Sequence, residues 1–331
     1  MNEIDFVITW VDGNDEEWLK EKNKYSGDIV TESNSNIRYR QWDTLKYWFR
    51  GVEKFTPWVN NIFFITYGHI PKWLNSENKK LRIVKHKDFI NSEYLPTFNS
   101  NAIELNINKV KGLSEQFVYF NDDMFIVNKM SPNCFFKNNL PRDSFVFNAV
   151  TAEGQNDIVE HSILNNLEII ARHYNKKNVI KKNWYKIFTL KNGKANIRTI
   201  CLLPWKHFSG IYNQHIPISY LKSTWDKVWQ EEEESLNNTI AHKFREKTDY
   251  NHWIFRYWQL MSGRFIPISM KKNRFYDLKN NNKEFFDQIK SGKYNMVCIN
   301  DSDPNLDFEK VKREQIEMFE HILPQKSSFE I

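Results

Sequence analysis

Short runs of β-branched and aromatic residues alternate along this chain with stretches in which apolar residues return every three or four positions. The run Asp5-Phe6-Val7-Ile8-Thr9-Trp10-Val11-Asp12 stops at Gly13-Asn14-Asp15, which predicts a buried strand ending in a turn. Further strands are predicted over 61–66, 81–84 and 117–120. Between them, Trp42, Leu45, Phe49 and Val52 mark one helical stripe. Ile103, Ile107 and Val110 mark another, opened by Asn101 with Glu104 three residues on and closed by Gly112. This alternation predicts an α/β, Rossmann-like fold with a mainly parallel sheet flanked by helices, in which ligands bind beyond the carboxyl ends of the strands. The turns Asp12–Asp15 and Asn121–Asp123 both follow strands and are expected to open onto one crevice.

From about residue 151 the pattern becomes mainly helical, with apolar periods over Ile158–Tyr174, Tyr220–Trp229, Trp253–Met261 and Leu306–Ile322. The expected organisation is an α/β core over 1–150 and a mainly helical part over 151–331 that packs on it as one compact unit. Glu231 to Glu234 read as a solvated helix end or loop, and Asn280-Asn281-Asn282 as a surface loop. Asp303 reads as the N-cap of the last helix, with Pro304 at its first position.

Composition narrows the functional classes. A chain of 331 residues can bury a core unaided. Its three cysteines, Cys134, Cys201 and Cys298, are too few and too scattered for a disulfide framework or a cysteine zinc site. The start, Met1-Asn2-Glu3-Ile4-Asp5, lacks the basic and apolar regions of a signal peptide, and no segment reaches the about 18 apolar residues of a membrane span. The expectation is a cytoplasmic protein, soluble or peripherally attached at the inner face of the membrane. The net charge of +6 and an aromatic content of 15% suit nucleotide, phosphate or sugar binding, and also adhesion to an anionic membrane face. Basic residues are dispersed and no nucleic-acid-binding signature is present, so nucleic acid is not expected as a partner.

Several short segments carry chemistry. Asn121-Asp122-Asp123 puts adjacent carboxylates at a strand end, where they either hold a hard cation such as Mg²⁺ or Mn²⁺ or serve as ordinary turn acids. Thr9-Trp10-Val11-Asp12-Gly13 offers backbone N–H groups, an aromatic face and an acid suited to a nucleotide, or else forms a plain Asp-Gly turn with Trp10 in the core. Gln214-His215-Ile216-Pro217 supplies a histidine able to act as a base near neutral pH. Phe244-Arg245-Glu246-Lys247-Thr248-Asp249 supplies an arginine able to clamp phosphate, or a surface ion pair. Cys298-Ile299-Asn300-Asp301 again ends an apolar run in Asn-Asp, and capping accounts for Asp303 better than for Asp301.

Taken in order, these pieces resemble the Stealth family, which includes bacterial capsular polysaccharide phosphotransferases and the catalytic region of the eukaryotic lysosomal-enzyme N-acetylglucosamine-1-phosphotransferase. The first block of resemblance is Ile4 through Asp15. The second and most specific runs from Arg38 through Leu45, Phe49-Arg50, Pro57-Trp58-Val59, Ile62 to Thr66, Gly68, Ile70-Pro71 and Trp73-Leu74. It continues through Leu95-Pro96-Thr97-Phe98-Asn99-Ser100 and Ala102-Ile103-Glu104 to Tyr119-Phe120-Asn121-Asp122-Asp123. The third resembles His215-Ile216-Pro217 and Phe244-Arg245 with Asp249, and the fourth Cys298 to Asp301. Many members carry a second histidine after the proline of the third block, where this chain has Ile218. The long insertions of the eukaryotic enzyme are also missing, which favours a bacterial glycan-assembly enzyme.

The resemblance implies a sugar-1-phosphate transferase that moves a hexose or N-acetylhexosamine 1-phosphate from a UDP-sugar to an oligosaccharide or lipid-linked glycan acceptor, releasing UMP. It implies metal (Mg²⁺ or Mn²⁺) at Asp123, with Asp122 and Asp301, and catalytic roles for Asp12, His215, Arg245 and Arg38. Thr9, Trp10, Gly13, Asn99, Ser100 and Asn121 are implied to bind the donor. A metal-dependent glycosyltransferase releasing UDP would use the same fold and acids. A non-catalytic carbohydrate-binding protein would need the aromatics but not the clustered acids, histidine and arginine.

Overall fold

A computed structural model describes residues 2–26, 40–152 and 158–331. Arg38 lies outside the described residues. Eleven strands and ten helices are described, beginning with β1 (Ile4–Trp10), α1 (Glu16–Ser26), α2 (Leu45–Phe55), β2 (Ile62–Thr66), β3 (Leu81–Lys85), α3 (Ser100–Leu105), β4 (Gln116–Phe120), β5 (Met124–Ile126), β6 (Phe136–Lys137) and β7 (Leu140–Asp143). The second half continues with α4 (Ile158–His173), α5 (Lys176–Ile187), α6 (Asn196–Cys201), β8 (Ile218–Leu221), α7 (Lys222–Ala241), α8 (Trp253–Ser262), β9 (Ile266–Pro267), β10 (Asn273–Asp277), α9 (Lys283–Lys290), β11 (Met296–Asn300) and α10 (Phe308–Ile322).

The fold is α/β. Its main sheet has the order β3-β2-β1-β4-β8, with the first four strands parallel and β8 antiparallel at the edge. Strand side chains alternate between two cores, as the period of two requires. Phe6, Ile8, Phe64 and Phe120 pack toward α2, α9 and α10 through Trp48, Phe286 and Phe319. Val7, Phe63, Phe117 and Tyr119 pack on the opposite face against α3, α4, α7 and α8 through Leu105, Ile170, Trp225 and Phe255. Both cores therefore draw residues from either side of position 150.

A second sheet, β10-β11-β5, lies beyond the main one. It is joined to the first core by α2, which approaches β5 closely because of Gly51: a Cβ there would lie 2.6 Å from the Ile126 carbonyl oxygen. Within this sheet Cys298 pairs with Met124, and the Ile299 N–H donates to the Asp123 carbonyl at 2.9 Å. The fourth block of the resemblance is thereby laid beside the second, although some 175 residues separate them in sequence.

Some local expectations are corrected. The period over 103–110 is not one helix: α3 ends at Leu105, and a separate 3-10 turn covers Ile107–Lys109. Its cap is Asn99, whose side chain accepts from the Asn101 N–H at 3.0 Å, rather than Asn101. Tyr220 belongs to β8, so the following helix starts at Lys222. Glu231 to Glu234 lie inside α7, because buried Trp229 and Leu236 carry the apolar face through them. Glu232 there kinks the helix and takes Arg172 at 2.7 Å and His173 at 2.6 Å. Asn282 is buried, accepting from the Lys279 N–H at 2.9 Å. Asp303 instead caps a turn through the Asn305 N–H at 2.8 Å, and α10 is capped by Asp307.

Candidate active site

The carboxyl ends of β1 and β4 are neighbours in register, Ile8 opposite Phe120, so the turns that follow them share one opening. They line a cleft of about 1730 Å³ to which both halves of the chain contribute. Thr9, Trp10 and Asp12 enter from β1; Ser100 and Glu104 from α3; Asn121, Asp122 and Asp123 from β4; His215 and Arg245 from the loops around β8 and α7; and Asp301 with Arg40 from the far wall. Gly13 and Asn99 are buried, and neither is among the residues lining the cleft.

Each polar side chain is held by a specific partner. The carboxylate of Asp12 closes its own turn by accepting from the Asn14 N–H at 2.9 Å, and the Asp12 N–H donates to His69 Nε2 at 2.7 Å. Thr9 Oγ1 lies 3.0 Å from the Tyr119 hydroxyl, and Trp10 stacks on Phe64 with ring centres 5.6 Å apart. Arg245 donates through Nε to Ser100 Oγ at 2.9 Å, with a second guanidinium nitrogen on the same oxygen. Asn99 is structural. It donates at 2.8 Å to Asp249, a carboxylate fully shielded from solvent that also accepts from Asn101, the Glu246 N–H and His242.

His215 sits in a loop that Arg256 fastens from beneath. Arg256 makes a buried two-pronged pair with Asp143 at 2.8 and 2.9 Å and donates to Asn213 Oδ1 at 2.6 Å and to the Tyr212 carbonyl at 3.2 Å. His215 itself has φ of +46°, a left-handed conformation uncommon for a residue with a Cβ. That conformation directs its Nε2 to within 3.8 Å of Asp123 Oδ2. Burial alone would lower its pKa, but the nearby negative charge of Asp123, helped by Glu104, outweighs burial and raises it.

The carboxylates differ from one another. Burial raises Glu104 to about 7 despite the opposing charge of Arg245 and hydrogen bonds from Tyr119 and Ser100. Burial between the cleft walls, together with the adjacent Asp123 charge, raises Asp122, although its side chain faces the open cleft, where water weakens the effect. Asp301 is raised by burial against the pull of Arg40, whose guanidinium lies 3.4 Å from Oδ2. His252 stands 3.9 Å from Glu104, but burial lowers its pKa far enough to keep it neutral, so this contact is not an ion pair.

One compact group of potential metal ligands is found among the described residues. Asp123, His215 and Cys298 offer ligand atoms all within 4.8 Å of one another. This mixed set suits a softer ion than Mg²⁺, which takes oxygen ligands. Moreover, burial and Asp123 keep the Cys298 thiol protonated, and its Sγ donates to Asp123 Oδ2 at 3.1 Å. Oxygens of the kind a hard cation takes are also present in the cleft: Asn121 Oδ1, Asp123 Oδ1 and Asp301 Oδ1 are each buried without a hydrogen-bond partner.

Arg40, Glu104 and Tyr119 stand at or beside the cleft without a local sequence signal for a site role. Arg40 lies two positions from the expected Arg38. Glu104 read as a capping acid, and only the packing of α3 shows that its side chain is buried at the cleft.

The description "Stealth protein CR2, conserved region 2" matches residues 38–143, and "Stealth protein CR1, conserved region 1" matches residues 2–30. Capsular polysaccharide phosphotransferase WcwK of Streptococcus pneumoniae is 45% identical over 332 residues, covering 100% of this chain and 98% of that protein. The chain belongs to the Stealth family. Exopolysaccharide phosphotransferase cps2G of Lactiplantibacillus plantarum is 39% identical over 99% of this chain and 96% of its own length. Receptor polysaccharide phosphotransferase WefC of Streptococcus gordonii is 40% identical, with both chains fully covered. This Stealth protein is thus an enzyme of a transferase family and matches these relatives along its whole length. Among solved structures, a galactosyltransferase in complex with donor and acceptor sugar analogues is similar over 98% of both chains, at 9% identity and a TM-score of 0.41.

Proposed function

We propose that this protein is a sugar-1-phosphate transferase of capsule or cell-surface polysaccharide synthesis, acting in the cytoplasm on a UDP-sugar and a glycan hydroxyl. The observation that carries this reading is the meeting of Arg245, His215 and the acids Asp12, Asp122, Asp123 and Asp301 in a single cleft, in a chain whose relatives are named polysaccharide phosphotransferases. A diphosphate donor needs charge neutralisation, and the cleft offers both cations and carboxylates for it.

In the proposed reaction the acceptor hydroxyl oxygen attacks the phosphorus that bears the sugar. The bond from that phosphorus to the bridging oxygen breaks and UMP departs, leaving the anomeric C–O bond intact. His215, whose proton affinity Asp123 raises, takes the hydroxyl proton, and Arg245 with Arg40 steadies charge on the phosphoryl oxygens. Asp123, Asp301 and Asn121 would hold a divalent ion, which when bound supplies charge neutralisation to the diphosphate. Trp10 and Thr9 would flank the nucleotide.

The test is the nucleotide released from a panel of UDP-glucose, UDP-galactose and their N-acetyl forms. UMP with one phosphorus per sugar transferred is the expected outcome. Stoichiometric UDP and a phosphorus-free glycan would replace this reading with that of a glycosyltransferase.

A further inference from the structure

We infer that residues 176–206 form a docking surface for an anionic lipid membrane. Over this stretch the sequence has nine Lys and Arg and no Asp or Glu, whereas the whole chain has 47 Lys and Arg against 41 Asp and Glu, so the rest of it carries no basic excess. The same stretch holds seven of the twelve large apolar side chains that are exposed among the described residues. Trp184 is 61% exposed, Leu190 95%, Ile197 63% and Trp205 58%. A patch of this kind, with aromatic and aliphatic side chains set among lysines, has the character of an interfacial anchor.

The apolar side chains face outward because the backbone beneath them is fixed. Lys176 Nζ donates to the Leu202 and Trp205 carbonyls, both at 2.7 Å, and so holds the turn that presents Trp205. Asn192 Nδ2 donates to the Ile187 carbonyl at 2.8 Å and to that of Phe145 at 3.2 Å. Buried Thr199 accepts from the Phe147 N–H at 3.1 Å, which leaves Ile197 and Ile200 on the free side of α6. Lys177, Lys181, Lys182, Lys194, Arg198 and Lys206 are exposed around them.

Charge complementarity selects the occupant. An anionic leaflet attracts juxtaposed basic side chains, and Trp and Tyr favour the headgroup level. A second copy of the chain meeting this face symmetrically would set lysines against lysines. Among the described residues no helix is long and apolar enough to cross a membrane, so the contact is a surface one. Phe147 and Asn148 tie the patch to the Asn148–Val150 segment that lines the cleft, so a docked protein would hold that rim near the bilayer.

The test is co-sedimentation of the full chain with vesicles of phosphatidylcholine alone and of phosphatidylcholine with phosphatidylglycerol in equal parts. Binding to the anionic vesicles, reduced by salt, is expected. The double variants Trp184→Ala/Trp205→Ala and Lys181→Glu/Lys182→Glu should each weaken it by about tenfold or more, with melting temperature unchanged. The idea is overturned if wild type ignores anionic vesicles, if both variants bind as wild type does, or if sedimentation velocity shows these residues mediating self-association instead. The readout needs no donor or turnover, so its failure is distinct from failure of the proposed reaction.

Discussion

His215 Nε2 lies 3.8 Å from Asp123 Oδ2, across a distance of more than ninety residues of chain, and the left-handed backbone of His215 is what brings it there. If this pair acts as a unit, His215→Ala and Asp123→Asn should each lower kcat/KM by about two orders of magnitude or more, and the double variant should fall little further than either single one. Steady-state kinetics of the three proteins decide it. Multiplying losses would mean that the two residues serve separate steps.

Asp249 makes the opposite kind of contribution. Its carboxylate is fully shielded and accepts from Asn99, Asn101, the Glu246 N–H and His242, so truncation strands several buried donors. Asp249→Ala should cost about 3–5 kcal/mol of stability, on the scale of breaking a buried charged network. Denaturant unfolding should register this loss, whereas Arg245→Ala, which empties a cleft position, should leave the unfolding midpoint nearly in place. An unchanged midpoint for Asp249→Ala would remove it from the framework of the site.

The contrast between Asp249 and Asp123 shows what the sequence could and could not tell. The four parallel strands were legible because buried strands read as continuous β-branched and aromatic runs, and the crevice followed from where those runs stop. Asp12, Asp122 and Asp123 were placed by that logic alone. Nothing local distinguishes Asn99 from Ser100, however: both sit at the start of α3, and only packing turns the first inward to Asp249 and the second outward to Arg245. Likewise the approach of Cys298 to Asp123 depends on the register of β11 against β5, a long-range pairing that periodicity does not encode. The break after Leu105 and the continuation of α7 through Glu232 were missed because tertiary contacts overrode local pattern.

Removal of divalent ions should abolish sugar-phosphate transfer, and Mg²⁺ or Mn²⁺ should restore it, because a diphosphate donor needs charge neutralisation and the cleft residues Asn121, Asp123 and Asp301 each offer a buried oxygen without a hydrogen-bond partner. Calorimetric titration of the chelator-treated protein gives a readout independent of turnover. Asp301→Asn should weaken that binding. Full activity in chelator, or heat signals identical in Asp301→Asn and wild type, would contradict the assignment of these oxygens.

Glu104 provides a test through pH. Burial raises its pKa from 4.5 to about 7, because the ionised form loses water that Arg245, Tyr119 and Ser100 only partly replace. In the unfolded chain the same carboxyl ionises near its ordinary value. Below about 4.5 both states are protonated and the stabilising preference for the neutral, folded form is complete. As pH rises toward 7 the unfolded state sheds its proton while the folded state keeps it, so stability falls; above 7 the loss is full, on the order of 3 kcal/mol. Glu104→Gln cannot ionise. Its stability relative to wild type should therefore increase between pH 4.5 and 7 and level off above that range. Parallel denaturant melts of the two proteins, both carrying His215→Gln because Glu104 and His215 influence each other, measure the difference across this window, since groups that do not interact with Glu104 cancel. A difference that stays flat, or that shrinks as pH rises, would mean that Arg245 and the hydroxyl donors hold Glu104 ionised in the folded cleft.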